Sequence, residues 1–400
     1  MKFAHLADVH IGGWQDPKLR ILGLEAFKKV IDICIKENTA FVLIAGDLFN
    51  TALPSIDSLK DVARFLRRLK KNNISVYVVP GSHDFSPSGK SMIDVLEKAG
   101  LLINVMKIKD NKLIFTKDKT GIKITGILGL RAGLEKEYFK TLNFSDLEKE
   151  NGFKIFIFHC PVNEYKPKYL EKVYAPSINS FPKNFDYYAG GHVHYLLNVE
   201  YGRGILSYPG PLFPNNFKEL EELKEGSFNL IDIKDDKIVN FDRVPIKIID
   251  IRTYFFNADD KNPLELEREI LHDIKDFEDK IILIRIEGKL INGKISDINF
   301  KDLFNNFKGA YAVLKNTNKL ISEEFQDINI DENIEVTERR IIEEHLKNIG
   351  DKGEYYDLII NNLLFTFNTE KGEGEKVIDF ENRLIDETIK SLKIKSLFEK

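Results

Sequence analysis

The sequence predicts an α/β fold, on three observations. Short apolar runs alternate with amphipathic helical stretches through the first half of the chain, turn-forming residues punctuate the ends of those runs, and no internal repeat or low-complexity tract interrupts the rhythm. Phe3 to Ala7 reads as a strand and Leu19 to Lys36 as a helix. Phe41 to Ala45 is a buried strand, Ser58 to Lys71 a helix, Ile74 to Val79 a strand, and Ser91 to Ala99 a short helix. After Gly121 the pattern leans toward strands, at 122–128, 154–158, 187–189, 205–208 and 227–231.

A second unit, 246–316, repeats the rhythm on a smaller scale. Strands are expected at 248–256, 280–286 and 310–314, with helices at 263–276 and 296–307, which makes a compact α/β cap. From 317 the chain begins polar and acidic and then turns helical. Thr337 is a candidate N-cap for 338–347, the segment Lys371 to Glu375 breaks the pattern, and 377–392 resumes it. The expected division is therefore 1–245, 246–316 and 317–400.

Bulk properties narrow the class. Four hundred residues exceed one small core, and 43% hydrophobic content is ordinary for a globular chain. A net charge of -4 means that a polyanionic partner would have to be met by a local basic patch, because the chain as a whole does not attract it. The only cysteines, Cys34 and Cys160, do not form a disulfide framework and fit a reducing compartment. No signal-peptide pattern and no run of about 18 apolar residues is present, so the expectation is a cytoplasmic enzyme without a membrane span.

Histidine carries the functional signal. Five of the eight fall in short clusters behind apolar strands: Asp8-Val-His10, Gly81-Ser-His-Asp84, Phe158-His159-Cys160 and Gly190-Gly-His-Val-His194, with Gly46-Asp47 as an acidic companion. Imidazole and carboxylate together suit divalent ions of the manganese, iron or zinc type. Residues two apart on an extended segment project to the same side, so Asp8 with His10, and His192 with His194, can each offer two donors to one cavity. Read singly, D-x-H is an exposed acid beside an unremarkable histidine, and G-D is turn chemistry. Five such pieces in order are hard to obtain by accident.

The ordered set D-x-H, G-D-x-x-N, G-S-H-D, H and G-H-x-H resembles the calcineurin-like metallophosphoesterase superfamily. Within it, Phe3 to His10, Gly46-Asp-Leu-Phe-Asn50 with Pro54, Val79 to Asp84 and Tyr208-Pro-Gly-Pro211 resemble the double-strand-break repair nucleases of the "meiotic recombination eleven" family and the bacterial SbcD proteins. The motifs span residues 1 to about 215, and the rest matches in layout more than in motif. The resemblance implies a β-sandwich flanked by helices, an α/β DNA-capping domain and a helical C-terminal region.

It further implies two divalent ions, taken as Mn2+. Asp8, His10, Asp47 and His194 would hold one, and Asp47, His159 and His192 the second, with Asp47 bridging. His83 would be the catalytic histidine, oriented by Asp84. Ser82 stands where the family carries asparagine, and a hydroxyl is a shorter and poorer neutral ligand for the second ion. Asn50 is a candidate substrate contact, with a turn asparagine as the plain alternative. The implied activity is 3′-to-5′ exonuclease action on duplex DNA and endonuclease action on single strands. The implied partners are DNA, a second copy of the chain, and an SMC-like coiled-coil ATPase of the Rad-fifty or SbcC type docked by the C-terminal helices.

Other features admit plainer readings. The run Arg64 to Lys71 is a DNA-facing stripe or the solvated face of a helix. Lys90, Arg131, Lys166 and Lys168 are possible phosphate contacts, His5 a packed histidine, and His272 and His345 surface residues. The apolar stretch Tyr355 to Phe367 is expected to dock the ATPase. Two rival functions remain at this stage: a small-substrate phosphodiesterase on the same scaffold, and a non-catalytic scaffold for the ATPase.

Overall fold

The computed structural model describes residues 1–85, 91–109, 112–129, 135–167, 170, 173, 175–322 and 377–391. In chain order the elements are β1 (Lys2–Leu6), α1 (Pro17–Lys36), β2 (Phe41–Ala45), α2 (Ile56–Lys71), β3 (Ser75–Val79), α3 (Met92–Lys98) and β4 (Ile103–Asn104). The short strands β5 (Ile108–Lys109), β6 (Lys112–Leu113) and β7 (Thr116–Lys117) lead to β8 (Lys123–Ile127), α4 (Glu135–Thr141) and α5 (Ser145–Lys149). Then come β9 (Lys154–His159), β10 (Tyr187–Gly191), β11 (Leu196–Tyr201), β12 (Gly204–Pro209), α6 (Phe217–Leu223), β13 (Gly226–Lys234) and β14 (Lys237–Ile246). The segment expected to form the cap contains β15 (Ile251–Asn257), α7 (Pro263–Asp273), β16 (Ile281–Leu290), α8 (Phe300–Asn305) and β17 (Ala312–Ser322), and α9 (Val377–Ser391) follows.

Two six-stranded sheets form a sandwich, ordered β14-β13-β1-β2-β3-β4 and β11-β12-β10-β9-β8-β7. The α/β sandwich with flanking helices expected from the resemblance is the fold observed. Strand periodicity sorts the residues of the first sheet between two cores. Phe3, Phe41, Leu43, Ala45, Tyr77 and Val79 face inward and meet Ile155, Ile157, Tyr187 and Ala189 of the second sheet. Their neighbours Ala4, Leu6, Val42, Ile44, Val76 and Val78 face outward and are covered by α1 and α2.

Helix α1 begins where Asp16 accepts the amides of Lys18 and Leu19 and Pro17 occupies the first turn. Its buried Leu19, Leu22, Ala26, Phe27, Val30, Ile31 and Cys34 recur at three- and four-residue spacing, which places one stripe on the sheet. Helix α2 is capped by Ser55 and buries Val62, Phe65, Leu66 and Leu69. Its basic run is not uniformly free, since Arg68 pairs with Asp32 of α1 at 2.6 Å. The outer face of the second sheet carries an aromatic core in which Phe156 and Phe158 pack with Phe181, Tyr188 and Tyr208. Truncating one such ring to alanine costs roughly 3–5 kcal/mol.

The topology gathers the carboxyl ends of the parallel strands β1, β2 and β3 in one sheet and β9 and β10 in the other. The last residues of these strands and the loops after them carry all the predicted donors. In the cap, β15 and β16 pair in parallel, with α7 between them in sequence. Asn262 and Glu265 close a capping box at the start of α7, with Pro263 in its first turn. Ile281 and Leu283 join the helical core of the sandwich, whereas Ile282, Ile284 and Ile286 are buried on the opposite face of β16.

One compact unit comprises Met1–Gly288 with Ser296–Leu320, and the second contains Lys289–Ile295 and α9. Among the described residues no helix is long and apolar enough to cross a membrane. His345, the expected helix 338–347 and the apolar stretch Tyr355 to Phe367 lie outside the described residues, as do Lys90, Arg131 and Lys168.

Candidate metal centre

Three overlapping donor groups form at the strand ends. Asp8, His10 and His194 make one, Asp47, His159 and His192 a second, and His10, Asp47 and His83 a third, with donor atoms inside each group no more than 4.8 Å apart. The seven side chains singled out from the sequence therefore converge, and Asp47 belongs to two of the groups. His10 Nε2 lies 3.0 Å from His194 Nε2 and 3.6 Å from Asp47 Oδ2. His159 Nε2 lies 3.1 Å from Asp47 Oδ2, and His194 Nε2 lies 3.6 Å from Asp8 Oδ1.

The backbone aims these side chains in a way that strand alternation does not. Asp8, His10, Asp47, His192 and His194 all have positive φ, between 45° and 95°. The pairs Asp8/His10 and His192/His194 face one cavity because each member sits in a left-handed turn past its strand, not because an extended segment repeats every two residues. Such conformations cost of order 1–3 kcal/mol each and persist only where the surroundings fix them. Here the amides of Asp8 and His10 donate to the carbonyls of Gly46 and Asp47. The His192 amide donates to Asp8 Oδ1 at 2.8 Å, and the His83 amide to Asp47 Oδ1 at 2.8 Å.

Glycine makes the close approaches possible. A Cβ on Gly81 would stand 2.1 Å from Asp47 Oδ1 and 2.3 Å from the Asp47 amide nitrogen, and one on Gly46 would stand 2.1 Å from His159 Nδ1. His159 itself is fixed by donating from Nδ1 to the Ala45 carbonyl at 2.8 Å, which turns Nε2 toward Asp47.

One expected role changes. Asp84 does not orient the His83 ring. Its carboxylate accepts the amides of Gly81 at 2.9 Å, Phe49 at 3.0 Å and Leu48 at 3.3 Å, tying the loop after β3 to the loop after β2. The His83 ring is instead held by the Asn50 carbonyl, 2.8 Å from Nδ1. Ser82 is half-buried between Gly81 and His83 on the same loop.

Sequence reasoning missed Glu219, whose Oε1 lies 2.9 Å from His194 Nδ1. The signal was present as Asn216-Phe-Lys-Glu219, a capping pattern at the start of α6. His5 is buried as expected and contacts the Tyr187 hydroxyl at 2.8 Å. His272 is exposed, and Lys166 donates to the Val173 carbonyl.

The electrostatics are those of a cation-binding cavity. Burial pushes His10 and His192 down to about 3, reinforced by His194 at His10 and by His159 at His192. Burial also opposes charge on His159, but Asp47 and Asp8 overcome it and raise the ring to about 10. At His194 the charges of Asp8 and Glu219 likewise overcome burial and raise it to about 9. Burial alone would raise Asp47, yet His159 and His10 hold it well below the usual carboxylate range.

The donor set fits divalent ions. His10 Nδ1 is buried without a hydrogen-bond partner, His159 Nε2 faces Asp47 Oδ2 at 3.1 Å, and two imidazole nitrogens face each other at 3.0 Å beside carboxylates. Convergent lone pairs of this kind are stabilised by cations. A cavity of about 450 Å³ opens beside the cluster, with His192, His194, Pro161, Tyr195, Lys218 and Glu219 in its wall.

Comparison with known proteins agrees. Residues 1–196 match the model of the calcineurin-like phosphoesterase family. The chain is 30% identical over 371 residues to the DNA double-strand break repair protein Mre11 of Methanococcus maripaludis, covering 87% of this chain and 91% of the relative. It is 27% identical over 405 residues to the protein of the same name from Archaeoglobus fulgidus, covering 95% and 89%. The protein of that name from Methanocaldococcus jannaschii is 27% identical over 379 residues, covering 92% and 96%.

Proposed function

From the premise that this chain belongs to the Mre11 family of metallophosphoesterases, we propose that it is a manganese-dependent DNA nuclease that processes broken DNA ends. The observation that carries the reading is the Asp47 carboxylate, shared by two donor groups that also include His10, His83, His159 and His192. Asp8, His10, Asp47 and His194 would hold one ion and Asp47, His159 and His192 the other. Two such ions supply Lewis-acid stabilisation of an anionic phosphodiester and a nucleophile at neutral pH.

The protein's own groups do the rest. Asn50 accepts from Nδ1 of His83, so the proton that His83 exchanges with substrate is the one at Nε2. From there it is delivered to the leaving oxygen. Asp84 keeps the His83 loop against the Asp47 loop, so that catalytic group and bridging ligand move as one body. Asn50, whose side chain also meets Asn215, lies beside His83 as a candidate substrate contact.

The finer expectations follow the family. They are 3′-to-5′ exonuclease and single-strand endonuclease action, a homodimer, residues 246–316 as a cap shaping the DNA groove, and residues 317–400 docking an SMC-like ATPase. The compartment is cytoplasmic. Ser82, in place of the family's asparagine, is proposed to weaken the hold on the second ion without abolishing activity. Equal manganese dependence in wild type and Ser82→Asn would remove that idea.

The test is cleavage of end-labelled duplex DNA with and without Mn2+, alongside a chromogenic phosphodiester. Wild type should degrade the duplex only with metal. His83→Gln should lose about 10²–10⁴-fold in rate while still binding Mn2+. Cleavage of the small ester but not of DNA would move the assignment to a small-substrate phosphodiesterase. Undiminished cleavage by His83→Gln would remove its catalytic role.

A further inference from the structure

Helix α6 touches the metal centre with one side chain and the cap with another. At its first turn Glu219 meets His194 Nδ1 at 2.9 Å through Oε1, while Oε2 accepts the Asn215 amide at 2.8 Å. The Asn216 side chain donates to Oε1 as well, and its own oxygen caps the Glu219 amide at 3.0 Å. Both carboxylate oxygens are thus engaged, which holds Glu219 in one orientation. With the His194 proton kept on Nδ1, Nε2 carries the lone pair that can ligate a cation, and it is the atom that faces His10 and Asp8. The same loop reaches the catalytic side: Asn215 Nδ2 donates to Asn50 Oδ1 at 3.4 Å, and the Asn50 carbonyl holds His83.

Two residues on, about 200° around the helix, Glu221 points the other way. It takes the guanidinium of Arg285 on β16 in a two-pronged bridge, with Nε 2.9 Å from Oε1 and a second nitrogen on Oε2. The guanidinium also lies over the Phe217 ring, 5.2 Å from its centroid. The paired side chains are only 16% and 15% exposed, so this is not one of the solvated surface pairs that contribute little. A rotation or slide of α6 would break this bridge and turn Glu219 away from His194 together.

We propose that Glu219 is a positioning residue for His194, and that the Glu221–Arg285 bridge makes its aim depend on how the cap sheet is seated. The proposal rests on the reading above only in that divalent ions bind at the cluster, and its readout is binding rather than cleavage. A full-length protein that follows the binding pattern below without cutting DNA would overturn the nuclease reading and leave this one standing.

The experiment is calorimetric titration of the full chain with Mn2+. Glu219→Ala should weaken one of the two ions by about 10–100-fold and leave the other unchanged, the usual cost of losing a carboxylate behind a ligating histidine. Arg285→Leu, remote from the ions, should weaken the same ion by about 3–10-fold. The double variant should bind no worse than Glu219→Ala alone, because the bridge then has nothing left to aim. Arg285→Lys, which keeps the charge but loses the fork, should follow Arg285→Leu and decides the matter if the leucine variant melts early. Wild-type affinity in both Arg285 variants, or losses that multiply in the double variant, would overturn the link to the cap. Unchanged affinity in Glu219→Ala would overturn the positioning role.

Discussion

The sandwich and the cap share one compact unit but are built to different standards. Around the metal centre, Asp8, His10, Asp47, His192 and His194 sit in left-handed conformations. In the cap the non-glycine residues with positive φ are Asp260, Asp279 and Asn292, short polar side chains that tolerate it in ordinary turns. Buried polar groups divide the same way. His5, Asp8, His10, Asp47, Asp84 and His159 are all buried in the sandwich, whereas among the described residues of β15 to β17 the buried polar groups are the hydroxyls of Thr253 and Ser322, with no ionisable side chain among them. The cap buries Leu266, Ile270, Ile282, Ile284 and Ile286 instead. Strain and buried charge are costs that natural proteins concentrate at functional sites, and here both gather in the sandwich.

That contrast can be broken most directly at its centre. Asp47→Asn should remove the carboxylate common to two donor groups, reduce Mn2+ binding from two ions to one or none, and cut nuclease activity by at least about a thousandfold. Retention of two tightly bound ions by calorimetry would mean that Asp47 does not bridge. Gly81→Ala comes next, since its new methyl would strike both the carboxylate and the amide of Asp47. Mn2+ affinity should fall by about 10–100-fold, a range set by losing ligand orientation rather than a ligand.

A smaller effect separates the burial of His5 from ligand chemistry. Burial holds its pKa at about 3, against an ordinary value of 6.5. Between those values the unfolded chain takes up a proton that the folded chain does not. Stability from the neutral ring is therefore full above pH 6.5 and is lost as pH falls toward 3. Urea unfolding of metal-free protein across this window should show a shallower acid loss in His5→Gln than in wild type. Parallel curves would show that another group governs the acid limb. The least effect belongs to the cap. An added Cβ at Gly309 meets only the flexible end of Glu278, so Gly309→Ala should change unfolding free energy by no more than about 1 kcal/mol and leave Mn2+ affinity alone.

The sequence was most legible where burial is complete. Strand β2 was read to the residue because its five residues are all apolar and all buried. Strands β11 and β14 were not read, and both lie at sheet edges with largely exposed residues, which leave little pattern to find. The metal donors stood out because histidine is scarce elsewhere in the chain. Their aim was credited to strand periodicity, whereas left-handed turns provide it. Asp84 was placed correctly beside His83 in sequence, but three backbone amides were invisible there as its partners. Glu219 was hidden inside Phe217-Lys-Glu-Leu-Glu-Glu-Leu223, which looks like any solvated helix until His194 is brought to it by folding.

One feature of the first sheet bears on how the molecule is made. Strand β1 lies between β2 and β13, and Lys2 is registered with Asp232. Residues some 230 positions apart must therefore pair before this sheet is whole, and the donors from Asp8 to His194 close into one cavity only when that long circuit is complete. A cutting enzyme of this design cannot be armed halfway.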